Sequence, residues 1–242
     1  MSVPIMRVID KLDNLLASND VKGAEDHLCY WEKEARKERD SSSLLSICNE
    51  QIGFYRRNRD DDKALKAIDT ALEILAESEV TPSCAAIFVN IATTYKGMGR
   101  YDEAMSNYLK AEDVFERYDM KKSYEYAAFL NNRGTLYSDL NDRENAVKDL
   151  DDAVRILKDL GTNKAEIAVS YINKAHAIEK EDPDQVEMLL DMAWEELNAV
   201  PYPRGGEYAF VLSKCAPSFE YFGRKFEADA LREVSDEIYQ GN

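Results

Sequence analysis

Small and apolar residues recur along this chain at three- and four-residue intervals, in blocks that return about every forty residues. Such spacing puts them on one face of a helix. In one block Phe88, Ile91, Ala92 and Tyr95 share a face; after the short turn Gly99-Arg100, so do Ala104, Tyr108 and Ala111. The following block repeats the plan with Leu130, Arg133, Gly134 and Tyr137, then Ala146, Leu150 and Ala153. The preceding one has Cys48, Gln51, Ile52 and Tyr55, then Ala64, Ile68 and Ala71. Weaker copies begin with Val8, Leu12 and Leu15, with Tyr171, Ala175 and Ile178, and with Leu212, Ala216 and Phe219. The small residue opening each second half stands at 24, 64, 104, 146, 186 and 228, in steps of 40, 40, 42, 40 and 42.

The pattern predicts an all-α chain of six helix pairs, at about 3–40, 41–80, 81–121, 122–162, 163–200 and 204–240, stacked as one solenoid. Ala92, Gly134 and Ala175 mark places where two helices approach closely. Asp and Asn in the turns, as in Asn58-Arg-Asp-Asp-Asp62 and Asn141-Asp142, suit the N-terminus of a second helix. The turn of the fifth pair, Glu181-Asp-Pro-Asp184, is one residue shorter. The Pro- and Gly-rich stretch 200–206 is expected to offset the last pair, and Pro217 to kink its first helix.

These blocks resemble the tetratricopeptide repeat, a helix–turn–helix unit, most strongly in pairs two to four. The ordinary unit has about 34 residues, so these are long repeats, similar to those of kinesin light chain and of bacterial peptide-pheromone receptors. The resemblance implies a right-handed superhelix whose first helices line a concave groove that holds an extended peptide. Two residues before each close-packing position stand Asp10, Glu50, Asn90, Asn132, Asn173 and Lys214. An Asn amide donates and accepts, so Asn90, Asn132 and Asn173 suit a peptide backbone of any sequence; the alternative is that they bond neighbouring helices. A second column, two turns along, runs Leu16, Arg56, Lys96, Ser138, Glu179 and Glu220. Glu50, Arg56, Lys96, His176 and Lys214 are the charged or titratable groove candidates, with Arg57 and Lys180 beside them. At about 0.5–1.5 kcal/mol per net hydrogen bond, three Asn supply roughly 1.5–4.5 kcal/mol. Micromolar binding takes about 8 kcal/mol, so side-chain contacts must add the rest, with Phe210 and Tyr221 as candidates.

Composition narrows the partners. The 242 residues carry 47 Asp and Glu against 31 Lys and Arg, a net charge of −16. That repels phosphate backbones and anionic membranes. The longest apolar run, 84–89, is far too short to cross a bilayer. Arg7, Asp10, Lys11 and Asp13 interrupt the N-terminal pattern and argue against a signal peptide. Four scattered Cys (29, 48, 84, 215) read as reduced thiols of a cytoplasmic protein.

No phosphate-loop, nucleophile-elbow or zinc-protease motif is present, and His27 and His176 are the only histidines. The chain is therefore not expected to be an enzyme or to need a cofactor or metal. Asp60-Asp61-Asp62 reads as a helix cap rather than a cation loop. Arg133, in an apolar run, is expected to reach the surface or to meet a carboxylate. The expected function is a protein-interaction scaffold. One alternative is a bacterial sensor of a signalling peptide, although a first pair starting near residue 3 leaves no room for the effector module of such receptors. Another is self-association as a homodimer through Ile5, Val8, Ile9, Leu12, Leu15 and Leu16.

Overall fold

The computed structural model describes residues 3–161, 164–200 and 205–240. Among them every regular element is an α-helix. The order is α1 (Ile5–Ala17), α2 (Val21–Glu38), α3 (Ser41–Asn58), α4 (Asp61–Glu77), α5 (Cys84–Gly97), α6 (Tyr101–Arg117), α7 (Tyr124–Asp139), α8 (Arg143–Leu160), α9 (Lys164–Ile178), α10 (Pro183–Asn198), α11 (Gly206–Tyr221) and α12 (Lys225–Tyr239). These are the six helix pairs that the periodicity predicts. They fall into two compact units, Met1–Tyr118 and Asp119–Asn242, each with three pairs. Residues 201–204 of the Pro- and Gly-rich turn lie outside the described residues, and so does the expected offset. Helix α11 continues through Pro217 to Tyr221.

Each pair closes on its small residues. Ala64, Ala71, Ala92, Ala104 and Ala111 in unit one, and Ala146, Ala153, Ala175, Ala193 and Ala228 in unit two, have no exposed surface. Around them pack Leu28, Ile52, Ile68, Ile91 and Tyr108, and Leu150, Leu190, Leu212 and Phe219. Gly134 shows why the position must be small. A Cβ there would stand 2.9 Å from Leu150 Cγ and 3.3 Å from the Ala146 carbonyl oxygen, inside van der Waals contact.

Turn chemistry sets the helix starts. Asp20, Asp40, Asp60, Asp142 and Asp182 each accept the backbone N–H three residues on, at 2.9–3.3 Å. Asp60 is thus a cap, as the triplet 60–62 suggested. Its carboxyl is held below the usual range by hydrogen bonds from the Lys63 side chain and backbone. Just ahead of the second helices, Asn19, Arg59, Gly99, Asn141 and Gly223 have φ between 56° and 81°, the left-handed turn that joins the two helices of a pair. The shorter fifth turn reaches its cap at Asp182 without such a residue.

The one deeply buried ion pair lies in unit two among the described pairs. Arg133 donates from Nε to Asp149 Oδ2 at 2.6 Å and from Nη2 to Oδ1 at 2.9 Å, with the two side chains 9% and 6% exposed. The guanidinium also lies 4.7 Å from the Phe129 ring centre. Arg133 therefore meets a carboxylate rather than the surface. Val8 and Leu12 of the N-terminal stripe are buried within unit one, while Ile5, Ile9, Leu15 and Leu16 are half-buried.

Candidate functional site

Alternation of first and second helices decides which surfaces face outward together. In unit one α3 packs against both α1 and α5; in unit two α9 packs against both α7 and α11. The first helices thus stand side by side within each unit, and the two columns read from the sequence lie on them, except for Glu179, which stands one residue past the end of α9.

In unit one, three of the expected residues come together around α3 and α5. Asn90 donates from Nδ2 to the Asn49 backbone oxygen at 2.9 Å and to Asn49 Oδ1 at 3.1 Å. Its Oδ1 accepts from Arg56 Nη1 at 2.6 Å. The same Nη1 reaches the Asn90 backbone oxygen and Thr94 Oγ1, both at 3.3 Å. Glu50, half-buried, sits beside Asn49 Nδ2 at 3.4 Å. Burial raises the Glu50 pKa above the usual carboxylate value, opposed in part by that hydrogen bond. Lys96, the fourth, is half-buried further along α5.

Beside this network opens a cavity of about 430 Å³ between α1, α3, the end of α4 and the start of α5. Ile9, Leu45, Ile74 and Ile87 give it an apolar lining, and Asn49 and Glu50 stand among its polar wall residues. Sequence reasoning missed Asn49, Leu45 and Ile87. They lie between the two columns, where packing of one first helix on the next, and not any single-helix pattern, selects the cavity wall.

In unit two the expected residues are more dispersed. Asn173 donates from Nδ2 to Asn131 Oδ1 at 2.9 Å, the same bridge between first helices that Asn90 makes to Asn49. Asn132 instead turns its Nδ2 back on the Ala128 carbonyl of its own helix, at 2.8 Å. All three column asparagines are half-buried. Lys214 is exposed, with Nζ 5.3 Å from the ring centre of Phe210. Phe210 and Tyr221 are 49% and 65% exposed, on the surface rather than in the core.

His176 joins α9 to α11. Its Nε2 lies 3.0 Å from Ser218 Oγ, its Nδ1 3.6 Å from Glu179 Oε2, and its ring centre 4.6 Å from that of Phe222. Burial lowers its pKa, against the raising effect of Glu179. The Ser218 signal was invisible in the sequence, because the partner stands 42 residues away on the next first helix. Serine, imidazole and carboxylate follow one another here, but Ser218 lies inside α11, where the neighbouring amides are taken by the helix.

Among the described residues no group of three His, Cys, Asp or Glu is placed to hold a metal ion, and no helix is long and apolar enough to cross a membrane. Burial pushes the Cys48 and Cys215 thiols up to about 12, far from a reactive thiolate.

The chain matches a tetratricopeptide repeat family model over residues 44–117 and 83–159. No curated protein matches it. Three solved structures share its fold. BtubC (BKLC) from P. vanneervenii is 18% identical, with 98% of this chain and 91% of that one covered and a TM-score of 0.61. A putative kinesin light chain with nearly identical repeats, from Podospora anserina, is 18% identical, covering 81% and 97%, with a TM-score of 0.66. The apo form of the quorum sensor NprR from B. thuringiensis is 15% identical, covering 97% and 65%, with a TM-score of 0.54. With six helix pairs in a forty-residue register and the family match lying across residues 44–159, the chain carries tetratricopeptide repeats in its middle pairs and has a tetratricopeptide-like fold.

Proposed function

We propose that the protein binds an extended segment of a partner protein along its first helices. The tetratricopeptide scaffold supports protein–protein interaction. The observation that carries the finer reading is the cavity in unit one. It is open, lined by Ile9, Leu45 and Ile87, and bordered by the amide-rich network of Asn49, Asn90 and Arg56. An apolar side chain of the segment fits the cavity, while the amides beside it serve the backbone, which leaves an extended strand with unpaired N–H and C=O groups. Asn90 would exchange its bond to Asn49 for a bond to the segment. In unit two the side-chain carbonyls of Asn132 and Asn173 are open to the same use, with His176 and Lys214 alongside; Lys96 plays that part in unit one.

Selection of displayed peptides on the whole chain tests this. Ala86 is exposed at the cavity wall, so Ala86→Trp fills the space without entering the core. The selected peptides should bind that variant at least ten-fold more weakly. Leu109→Ser, at an exposed second-helix position, should leave the affinity unchanged. Equal loss in both variants, or none in Ala86→Trp, would refute the assignment.

A further inference from the structure

The second helices of pairs five and six depart from a pattern that holds in the pairs before them. Counted from the small residue that opens each second half, the positions two before, two after and six after it stand four residues apart and share one helix face. In pairs two, three and four they hold polar residues only, such as Asp62, Lys66, Lys110 and Glu144. In pair five the last two become Met188 and Met192, and in pair six all three are apolar: Phe226, Ala230 and Val234. Phe226 is 80% exposed and Met188 63%. Met192 is exposed as well, and Ala230 and Val234 are half-buried.

The two apolar columns are neighbours within unit two. Arg224, at the start of α12, donates from Nη2 to the Glu187 backbone oxygen at 3.4 Å and to Asp191 Oδ1 at 2.7 Å. These bonds seat the start of α12 against the middle of α10. Phe226 follows two residues on, beside the stretch of α10 that carries Met188 and Met192.

Around this strip the charge has one sign. Helix α10 carries five Asp and Glu and no Lys, Arg or His, and α12 carries five against Lys225 and Arg232. Arg224 is already paired with Glu187, Asp191 and Glu227, and Arg232 with Glu220 and Asp229. Asp184, Glu195, Glu233 and Glu237 pair with no cation among the described residues. Such a border opposes a second copy of the same strip, which brings the same charge, and an anionic bilayer. It suits a basic amphipathic helix, and flexible methionine side chains adapt to the apolar face of one. Asp184 and Glu195 are eleven residues apart on α10, about 16 Å at 1.5 Å per residue, so about three turns of the partner helix would be in contact.

We propose that α10 and α12 form a second docking surface, separate from the first-helix face, for a basic amphipathic helix of a partner protein. The apolar side of that helix lies on Met188, Met192 and Phe226, and its Lys or Arg residues reach Asp184, Glu195 and Glu233.

The test uses the whole chain and a capped peptide made of two copies of Leu-Lys-Lys-Leu-Leu-Lys-Ala, which is amphipathic as a helix. One control has the same residues in an order that spreads Leu around the helix; the other has Glu for Lys. Binding is read from the methionine methyl NMR signals, with Met6, exposed on α1, as the reference. The Lys peptide should shift Met188 and Met192 saturably and leave Met6 in place, and both controls should bind at least ten-fold more weakly. Met188→Ser/Phe226→Ser, at two exposed positions, should lose at least ten-fold in affinity. Phe226→Leu should keep most of it. Ala86→Trp should keep all of it, which separates this face from the cavity in unit one. No shift at Met188 and Met192, equal binding of the reordered peptide, an equal shift of Met6 or an unchanged affinity in the double variant would overturn the proposal. So would a loss in Ala86→Trp, or Met188 and Met192 signals that move with chain concentration alone or with phosphatidylcholine vesicles, the marks of a second copy or a lipid surface on the strip.

Discussion

Replacing Asp149 with Ala removes the counter-charge of Arg133 and leaves the guanidinium inside unit two. The pair is bidentate, at 2.6 and 2.9 Å, with both side chains under one-tenth exposed. Breaking such a buried pair from one side costs about 3–5 kcal/mol. Two charge-assisted hydrogen bonds at about 1.5–3 kcal/mol each give a similar sum. For a chain of this size, with about 2–4 °C per kcal/mol, the melting temperature should fall by roughly 6–20 °C. The double variant Arg133→Met/Asp149→Leu removes both charges and refills the space. It should lie within about 1–2 kcal/mol of the parent, because the desolvation penalty disappears with the charges. The assay is a double-mutant cycle by urea unfolding, followed by circular dichroism. A loss below about 1 kcal/mol in Asp149→Ala, or a double variant as unstable as the sum of the single ones, would contradict the reasoning.

Three further outcomes follow from the packing and the titrating groups. Gly134→Ala should destabilise by about 1–3 kcal/mol, since its Cβ meets Leu150 Cγ at 2.9 Å and Leu150 or the Ala146 backbone must move; thermal unfolding measures it. Asp60→Ala should lower the melting temperature through loss of the α4 cap, and Asp61→Ala, outside the cap, should lower it less. Glu166→Gln should raise the melting temperature at pH 7. Burial first, and the neighbouring Glu207 second, raise the Glu166 pKa above 4.5, so the folded state binds a proton that the unfolded state does not. The parent therefore gains stability from this group as pH falls through the raised pKa, and the difference between parent and variant should vanish near pH 4.5.

The pairing of helices was legible because Ala and Gly at the close approaches recur in a fixed register, and because Asp at the turns has one local job. The columns on the first helices were legible as positions, and less so as contacts. Asn90 and Asn173 carry their bonds to Asn49 and Asn131, which stand one residue outside the column on the preceding first helix. Asn132, in the same register, bonds its own helix. One residue type at one register therefore does two things, according to what the neighbouring helix offers. Arg133 was visible as an anomaly, but its partner lies 16 residues away on α8, and only the packed pair selects Asp149 among many acids.

A crystal structure of the whole chain with a selected peptide tests the account most directly. The peptide should lie extended across α1, α3 and α5, with an apolar side chain between Leu45 and Ile87 and its backbone bonded to the side chain of Asn90. A peptide seated on the second helices α2, α4 and α6, with that cavity empty, would contradict it.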